Sequence, residues 1–394
     1  MSEQDHPAVA KPPPDGPPSG MIQTQRLTAA LTPLEVALGL LYRDLRPVDA
    51  IEVSLAEAIG CVASQTPPLE TALPAFTTAM TDGWALRAHD IVGASSYSPV
   101  QLAKPLRWVE AGERLPDDCD CVLDADLVEQ IGPLCQVVAE AVPSQGVRRA
   151  GDDIAAGGAL VEPGRRIDAF DLLAVRAAGL QRVAVRSPCV HVIDVHADSA
   201  ESSQFVSDFA KANGARVTMS QTSGRDVASI SAAIGAEGCD LLLTVGGTGS
   251  GRMDTAVLAL KERGTLLAHG LALQPGRTAA VGKIGATPLV ALPGLPEQAL
   301  GACLAVVQPV LDMLTARQPR QEMVSPLARK ISSAIGVTEI VLLKMSDQAW
   351  MPLATGQLSL NAIVSADAWL AVPGNSEGYA VGTPVDAFLL REMS

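Results

Sequence analysis

From residue 190 onward the chain alternates short apolar runs with amphipathic stretches, a rhythm that few architectures accept. Segments 190–195, 216–219 and 240–245 have the length and apolar density of buried strands. Segments 203–213, 227–234 and 255–263 have helical spacing, and a long helix is predicted over 296–314. Strands separated by helices in this way pair in parallel, with right-handed crossovers, so this part reads as an open α/β domain. The third strand runs into Gly246-Gly247-Thr248-Gly249-Ser250-Gly251, and a helix begins just beyond Asp254. Glycines let backbone N–H groups turn toward a ligand, and a helix start adds partial positive charge. Both favour an anion at the carboxyl end of a parallel strand. The turn has neither the Lys-Ser/Thr of a P-loop nor the spacing of a dinucleotide fingerprint. The residues alone therefore leave two readings, a site for a phosphorylated or anionic ligand and a merely tight turn.

The neighbours of the turn are similarly two-sided. Asp254 suits a helix N-cap and equally a cation held against bound phosphate. Arg252 and Arg277 can pair with an anion or stay solvated. Leu292-Pro293-Gly294-Leu295-Pro296 is a rigid strand-to-helix turn that by itself carries no chemistry.

Upstream, Thr32-Pro33-Leu34-Glu35 has the form of a capping box with Pro at the first helical position, and Val36, Leu40 and Leu41 supply an apolar face. Ser54 and Glu57 repeat the capping logic, and Gly60 closes that short helix. From residue 67 the texture changes to short runs broken by Pro, Gly and Asp. Leu86 and segments 100–102, 106–109, 121–123 and 135–141 read as strands of a small β-rich module. A polar connection over 148–158 leads to a helix at 168–179 and a strand at 182–185. Segment 329–390 returns to short strands and turns, which suits a small barrel or sandwich.

Composition narrows the functions. Lys and Arg number 29 against 43 Asp and Glu, a net charge of −14. That excess argues against nucleic acid, which needs a field of basic residues. No window reaches about 18 unbroken apolar residues, so no membrane span is expected. Residues 1–20 carry a Pro-rich run, KPPPDGPP, and no apolar h-region, so a disordered tail over 1–25 and a cytoplasmic location are expected. The seven cysteines are scattered, which disfavours a disulfide framework. Cys119 and Cys121 read as small hydrophobes on one face of a strand rather than metal ligands.

Five ordered motifs carry a family resemblance. TVGGTGSGRMD resembles the glycine motif of the molybdopterin-binding domain shared by MogA, MoeA and gephyrin, and the rest of the chain selects the MoeA family. LPAFTTAMTDGWALRAHD (73–90) resembles its LP-x-F-D-N-S-A-M-D-G-Y-A-V-R segment, and AGERLPDDCDCVL (111–123) its G-x-x-x-P-x-G-A-D-A-V-V segment. GVRRAGDDIAAG (146–157) resembles N-I-R-x-x-G-E-D-I-x-x-G. LQPGRTAAVGKI and LPGLPEQA resemble K-P-G-K-P-x-x-x-G and L-P-G-N-P-x-S-A.

The resemblance implies a multidomain α/β plus β architecture. A tail covers 1–25, and an elongated N-terminal region covers 26–187 with a β-rich insertion at about 73–147. A MogA/MoaB-like parallel-sheet domain follows at 188–318 and a small C-terminal β-barrel at 319–394. It implies a homodimer whose site lies between one subunit's sheet domain and the other's β-rich region. It further implies insertion of molybdate into adenylylated molybdopterin with release of AMP, Mg²⁺ as cofactor, and dealings with a molybdopterin adenylyltransferase or a recipient molybdoenzyme. The residues carried over as catalytic are Asp82, Asp153, Asp226 and Asp254, with Asp226 and Asp254 as metal ligands. The carried-over binding residues are Gly246, Gly247, Thr248, Gly249, Ser250, Arg252, Pro275, Gly276, Arg277, Pro293, Gly294 and Pro296. As isolated residues, Asp82 and Asp153 equally suit turns, and Asp226 a helix N-cap.

The chain also departs from the pattern. Gln274 replaces a lysine, Arg277 a second lysine and Leu295 an asparagine. Ala111 replaces a threonine and Leu342 an arginine, and 196–199 lack the family's acidic turn. Losing Lys at 274 removes a point charge for phosphate, and Leu295 removes an amide that can hydrogen-bond. These departures open a second expectation, a catalytically weakened relative that binds molybdopterin or the finished cofactor for delivery to a particular molybdoenzyme.

Overall fold

The structure is a computed structural model that describes residues 25, 30–65, 68–103, 105–131, 134–195, 200–235 and 238–391. All of the expected tail except residue 25, and the 196–199 turn, lie outside the described residues.

The centre is a six-stranded sheet built from β1 (Cys189–Asp194), β2 (Arg216–Gln221), β3 (Leu241–Val245), β4 (Thr265–His269), β5 (Ala280–Ile284) and β6 (Thr287–Leu292), in the order β2-β1-β3-β6-β5-β4. The first four strands in that order are parallel, in a register that sets Val192 beside Met219 and Leu243, and Leu243 beside Val290. The expected parallel sheet thus carries an antiparallel addition, because the short turn between β5 and β6 makes a hairpin and β4 runs antiparallel to β5.

Helices cover both faces. These are α1 (Glu201–Ala212), α2 (Val227–Ala233), α3 (Ala256–Arg263) and α4 (Pro296–Thr315). Every residue of β3 is buried. Leu241, Leu243 and Val245 enter the core with Val206 and Ala210 of α1 and most of α4, while Leu242 enters the opposite core with Ile230 and Leu260. A strand buried on both sides reads as an unbroken apolar run for this reason. Helix α4 is long and apolar enough to cross a membrane, but 78% of its most apolar window is buried inside the protein. It contains a π-turn at Cys303–Val307, one turn ahead of Pro309. Pro309 has no N–H to continue the ladder, and a wider turn absorbs that loss.

The same core holds Ala37 and Leu41 of helix Leu34–Tyr42, and Ile340, Leu342 and Trp369 from the C-terminal sheet. The capping box expected at Thr32 does not form. Pro33 occupies the N-cap with no side-chain cap, and Thr32 instead exchanges backbone bonds with Gly270 and Ala272. Strand-like pairing fixes Thr32, so the buried stripe runs through Ala37 and Leu41 and Val36 is exposed. The box at Ser54 does form, with Ser54 N and Oγ both donating to the Glu57 carboxylate.

Strands Ile51–Ser54, Arg182–Arg186 and Val62–Ala63 make a three-stranded sheet with Arg182–Arg186 in the middle. Between them lie two further three-stranded sheets, Arg107–Val109 with Gly83–Leu86 and Cys121–Leu123, and Val100–Leu102 with Leu134–Val137 and Val128–Ile131. Cys121 opens its strand and is buried, but Cys119 lies in the preceding turn, so the two do not share a strand face. Among the described residues no group of three His, Cys, Asp or Glu side chains is placed to hold a metal.

The C-terminal strands Glu322–Pro326, Pro384–Leu389, Ala368–Val372, Thr338–Ser346 and Ala349–Thr355 pair in that order, and a bridge between Leu327 and Trp350 closes the circle. The wholly buried Trp350 fills the interior of this small barrel. Replacing Trp350 by Ala is expected to cost about 3–5 kcal/mol, because it opens a cavity that five strands cannot collapse around. The fall in the urea unfolding midpoint of W350A measures it.

Candidate active site

The carboxyl ends of β1, β3 and β6 open into a cleft of about 680 Å³. Its walls include Asp194 at the end of β1, residues 245–249 after β3, and Pro293, Gly294 and Leu295 after β6. Gln274, Arg277 and Thr278 line it from the connection between β4 and β5, Ser202 and Ser203 from α1, and Gln298 from α4. Arg225 and Asp254 complete it.

The glycines of the turn answer to specific contacts. Gly246 and Gly247 have φ of 100° and 70°, a region that side chains disfavour. A Cβ on Gly249 or Gly251 would lie 2.6 or 2.8 Å from Asp254 Oδ2, because that carboxylate folds back over the turn. A Cβ on Gly294 would lie 3.4 Å from Gly246 Cα, so the turns after β3 and β6 pack backbone to backbone. Ser202 Oγ donates to Gly294 O at 2.7 Å and ties α1 to the same place.

Asp254 is not the helix N-cap. Thr255 occupies that position without a side-chain cap, and α3 starts at Ala256. The Asp254 carboxylate accepts from Gly251 N at 2.9 Å and meets Arg225 Nη2 at 3.6 Å. Arg225 Nε is buried and has no hydrogen-bond partner among the described residues.

The turn's carbonyls are well anchored. Gly247 O accepts from Gln25 Nε2 at 2.8 Å and from Ala256 N at 3.0 Å. Thr248 O meets His269 Nε2 at 3.0 Å, and Gly249 O accepts from Gln25 Nε2 at 2.5 Å. Gly247, Thr248 and Gly249 line the cleft, and their amides donate to no partner among the described residues. Gln25 is 4% exposed: a polar residue read as part of the expected tail is a buried brace.

Of the residues singled out from sequence, Gly246, Gly247, Thr248, Gly249, Asp254, Arg277, Pro293 and Gly294 line the cleft. Ser250, Arg252, Pro275, Gly276 and Pro296 do not. Gly276 has a supporting place, its N–H donating to Gln298 Oε1 at 2.8 Å. Asp226 caps α2, accepting from Ser229 N and Oγ at 3.0 and 2.7 Å, and these bonds hold its carboxyl below the usual range. Asp82 accepts from Ala111 N at 2.7 Å in the β-rich region, and Asp153 pairs with Arg148 at 3.3 Å in the connection that follows it; neither lines the cleft. Leu342, expected to replace a site arginine, is wholly buried in the central core. Sequence reasoning missed Asp194, Ser202, Ser203, Arg225, Thr278, Gln298 and Gln25. Asp194 alone had a usable signal, a carboxylate closing an apolar parallel strand.

Two family profiles match the chain in succession. One, described as "MoeA N-terminal region (domain I and II)", covers residues 32–179. The other, described as "Probable molybdopterin binding domain", covers 197–313 and includes the glycine turn. The chain belongs to the MoeA family. The molybdopterin molybdenumtransferase 2 of Mycobacterium tuberculosis is 25% identical over 390 residues, spanning 87% of this chain and 96% of its own. The molybdopterin molybdenumtransferase of Synechococcus elongatus is 24% identical over 394 residues, spanning 86% of this chain and 97% of its own. The molybdopterin biosynthesis MoeA protein of Pyrococcus horikoshii OT3 superposes with a TM-score of 0.72, covering 91% of this chain and 100% of that one at 22% identity; the two share the fold.

Two outcomes test this geometry. Gly249→Ala is expected to destabilise by about 1–3 kcal/mol through its clash with Asp254. The cost should shrink when Asp254 is also Ala, a coupling that a double-mutant cycle of unfolding midpoints reads. Burial holds His269 below the ordinary imidazole value of 6.5, against a smaller opposing effect of its bond to Thr248. The unfolded chain therefore takes up the proton first, so this group's contribution is complete above pH 6.5 and is lost as pH falls below it. Urea midpoints at pH 7.5 and 5.5 should differ less in His269→Asn than in the wild type.

Proposed function

We propose that this chain inserts molybdate into adenylylated molybdopterin and releases AMP, a late step of molybdenum cofactor assembly. The observation that carries this reading is the set of cleft-lining amides at 247–249 that lack a protein partner, in a chain of the MoeA family. Backbone N–H groups with no protein partner at the wall of a cleft suit phosphate oxygens. Arg277 stands at the same wall to meet a further anionic oxygen, and Arg225 keeps Asp254 over the turn. Overall, water adds at phosphorus as the phosphoanhydride P–O bond breaks, giving AMP and the pterin phosphate, and two dithiolene thiols replace two molybdate oxygens, which take up the thiol protons and two solvent protons and leave as water. The protein's part in this is to bind and orient.

The residues do not by themselves fit Mg²⁺. Asp226 is spent on its helix cap, and the cleft wall offers only the carboxylates of Asp194 and Asp254. In a homodimer, Asp82 and Asp153 would reach the cleft from a second copy, which would account for their distance from it here.

A second reading is favoured by Gln274 and Leu295 in the cleft wall, the latter 61% exposed. An apolar side chain at that position offers nothing to an anion, as a binding relative with weakened catalysis would tolerate. Purified protein given adenylylated molybdopterin, molybdate and Mg²⁺ should release AMP above the protein-free rate, and Arg277→Ala should lower that rate about tenfold. Ligand binding without AMP release, restored to turnover by Gln274→Lys with Leu295→Asn, would select the second reading. Neither binding nor release would remove both.

A further inference from the structure

Gln25 sits ahead of everything the family profiles match, yet its carboxamide makes three hydrogen bonds behind the wall of the cleft. Its Nε2 donates to Gly247 O at 2.8 Å and Gly249 O at 2.5 Å, and its Oε1 accepts from Val257 N at 3.2 Å, in the first turn of α3. We propose that Gln25 is a positioning residue for the anion-binding amides, an assignment that rests on the phosphate reading above.

A trans peptide directs its carbonyl and the following N–H to opposite sides. Holding Gly247 O on the Gln25 side aims the following amide, of Thr248, away from it, and the bond to Gly249 O fixes the far end of the same turn. Val257 N–H is one of the donors that a helix start leaves without an intrahelical partner, and Thr255 supplies no side-chain cap. Gln25 thus joins the glycine turn to the start of α3 through one rigid amide. It does not itself line the cleft, so it acts through the turn and not on the ligand.

Two substitutions in the full chain separate positioning from packing. Gln25→Ala removes all three bonds. Gln25→Glu keeps the shape and the acceptor for Val257 but turns a carboxylate on two carbonyls. Hydrogen–deuterium exchange should quicken at the bonded amides 251 and 256 in both variants and at 257 in Gln25→Ala, which loses the acceptor, and stay unchanged across barrel strand Thr338–Ser346. Calorimetry with AMP at pH 7.5 should show Kd raised about tenfold or more in both, as expected for lost bonds at a buried site. At pH 5.5 the Gln25→Glu protein should recover toward the wild type measured at that pH, because a buried carboxyl gains a proton readily and regains a donor. Asp254 above the turn and His269 beneath it are common to both proteins, so the wild type at each pH is the reference. Wild-type AMP affinity in both variants, or unchanged exchange at 247–258, overturns the assignment, as does an affinity loss in Gln25→Glu that ignores pH. A wild type that binds no AMP while the exchange changes appear overturns the phosphate reading and leaves the brace standing.

Discussion

Peptide geometry ties what a turn offers on one side to what holds it on the other, and residues 247–249 show the consequence. Gln25 and His269 between them hold all three carbonyls. Of the amides that follow, those of Thr248 and Gly249 are directed away from those anchors and are left for a ligand. Glycine makes this arrangement accessible, through positive φ at 246 and 247 and through the absence of a Cβ where Asp254 folds over 249 and 251. The site is thus a property of backbone direction, and the surrounding fold serves to keep that direction fixed.

The fold does so by burying both faces of β3 and locking its end. The turn after β6 touches the turn after β3 at Gly294 and Gly246, and α1 is bonded to the same point through Ser202. On the far wall, Leu273 and Gln274 pair with Thr338 and Glu339 of the barrel before the chain re-enters the sheet as β5. Arg277 and Thr278 therefore hang between a barrel strand and a sheet strand. A barrel that lost its Trp350 core would loosen that wall without touching a cleft residue. One apolar core runs from helix Leu34–Tyr42 through α4 to Trp369, so the sheet and the barrel share their packing.

How far the chain could be read beforehand follows from where the signals originate. The strand–helix alternation, the glycine turn, the Ser54 box and the helix ending at Thr315 were legible because each is a local pattern with a local cause. Thr32 misled because a capping box also needs a free N-cap residue, and tertiary pairing with Gly270 and Ala272 had already claimed it. Asp254 misled because its carboxylate satisfies a turn amide three residues back, an option that spacing alone does not distinguish from a cap. Arg225 and Gln25 were beyond reach for a different reason. A lone arginine before a helix, or a lone glutamine in a polar stretch, has no pattern until the fold brings residue 257 to residue 25.

Electrostatics explains how a chain of net charge −14 can present an anion site. Long-range attraction is the work of Lys and Arg fields, which this chain lacks, and backbone amides act only at contact distance. Two cleft carboxylates, Asp194 and Asp254, oppose an anion, and two arginines, 225 and 277, offset them. With charge near balance, the amides decide what binds, and they decide by position. A displacement that a cluster of lysines would absorb by changing rotamers cannot be absorbed by a backbone held at three carbonyls. Such a site gains selectivity for the shape of a phosphate and depends on whatever holds the turn, including a glutamine far from it in sequence.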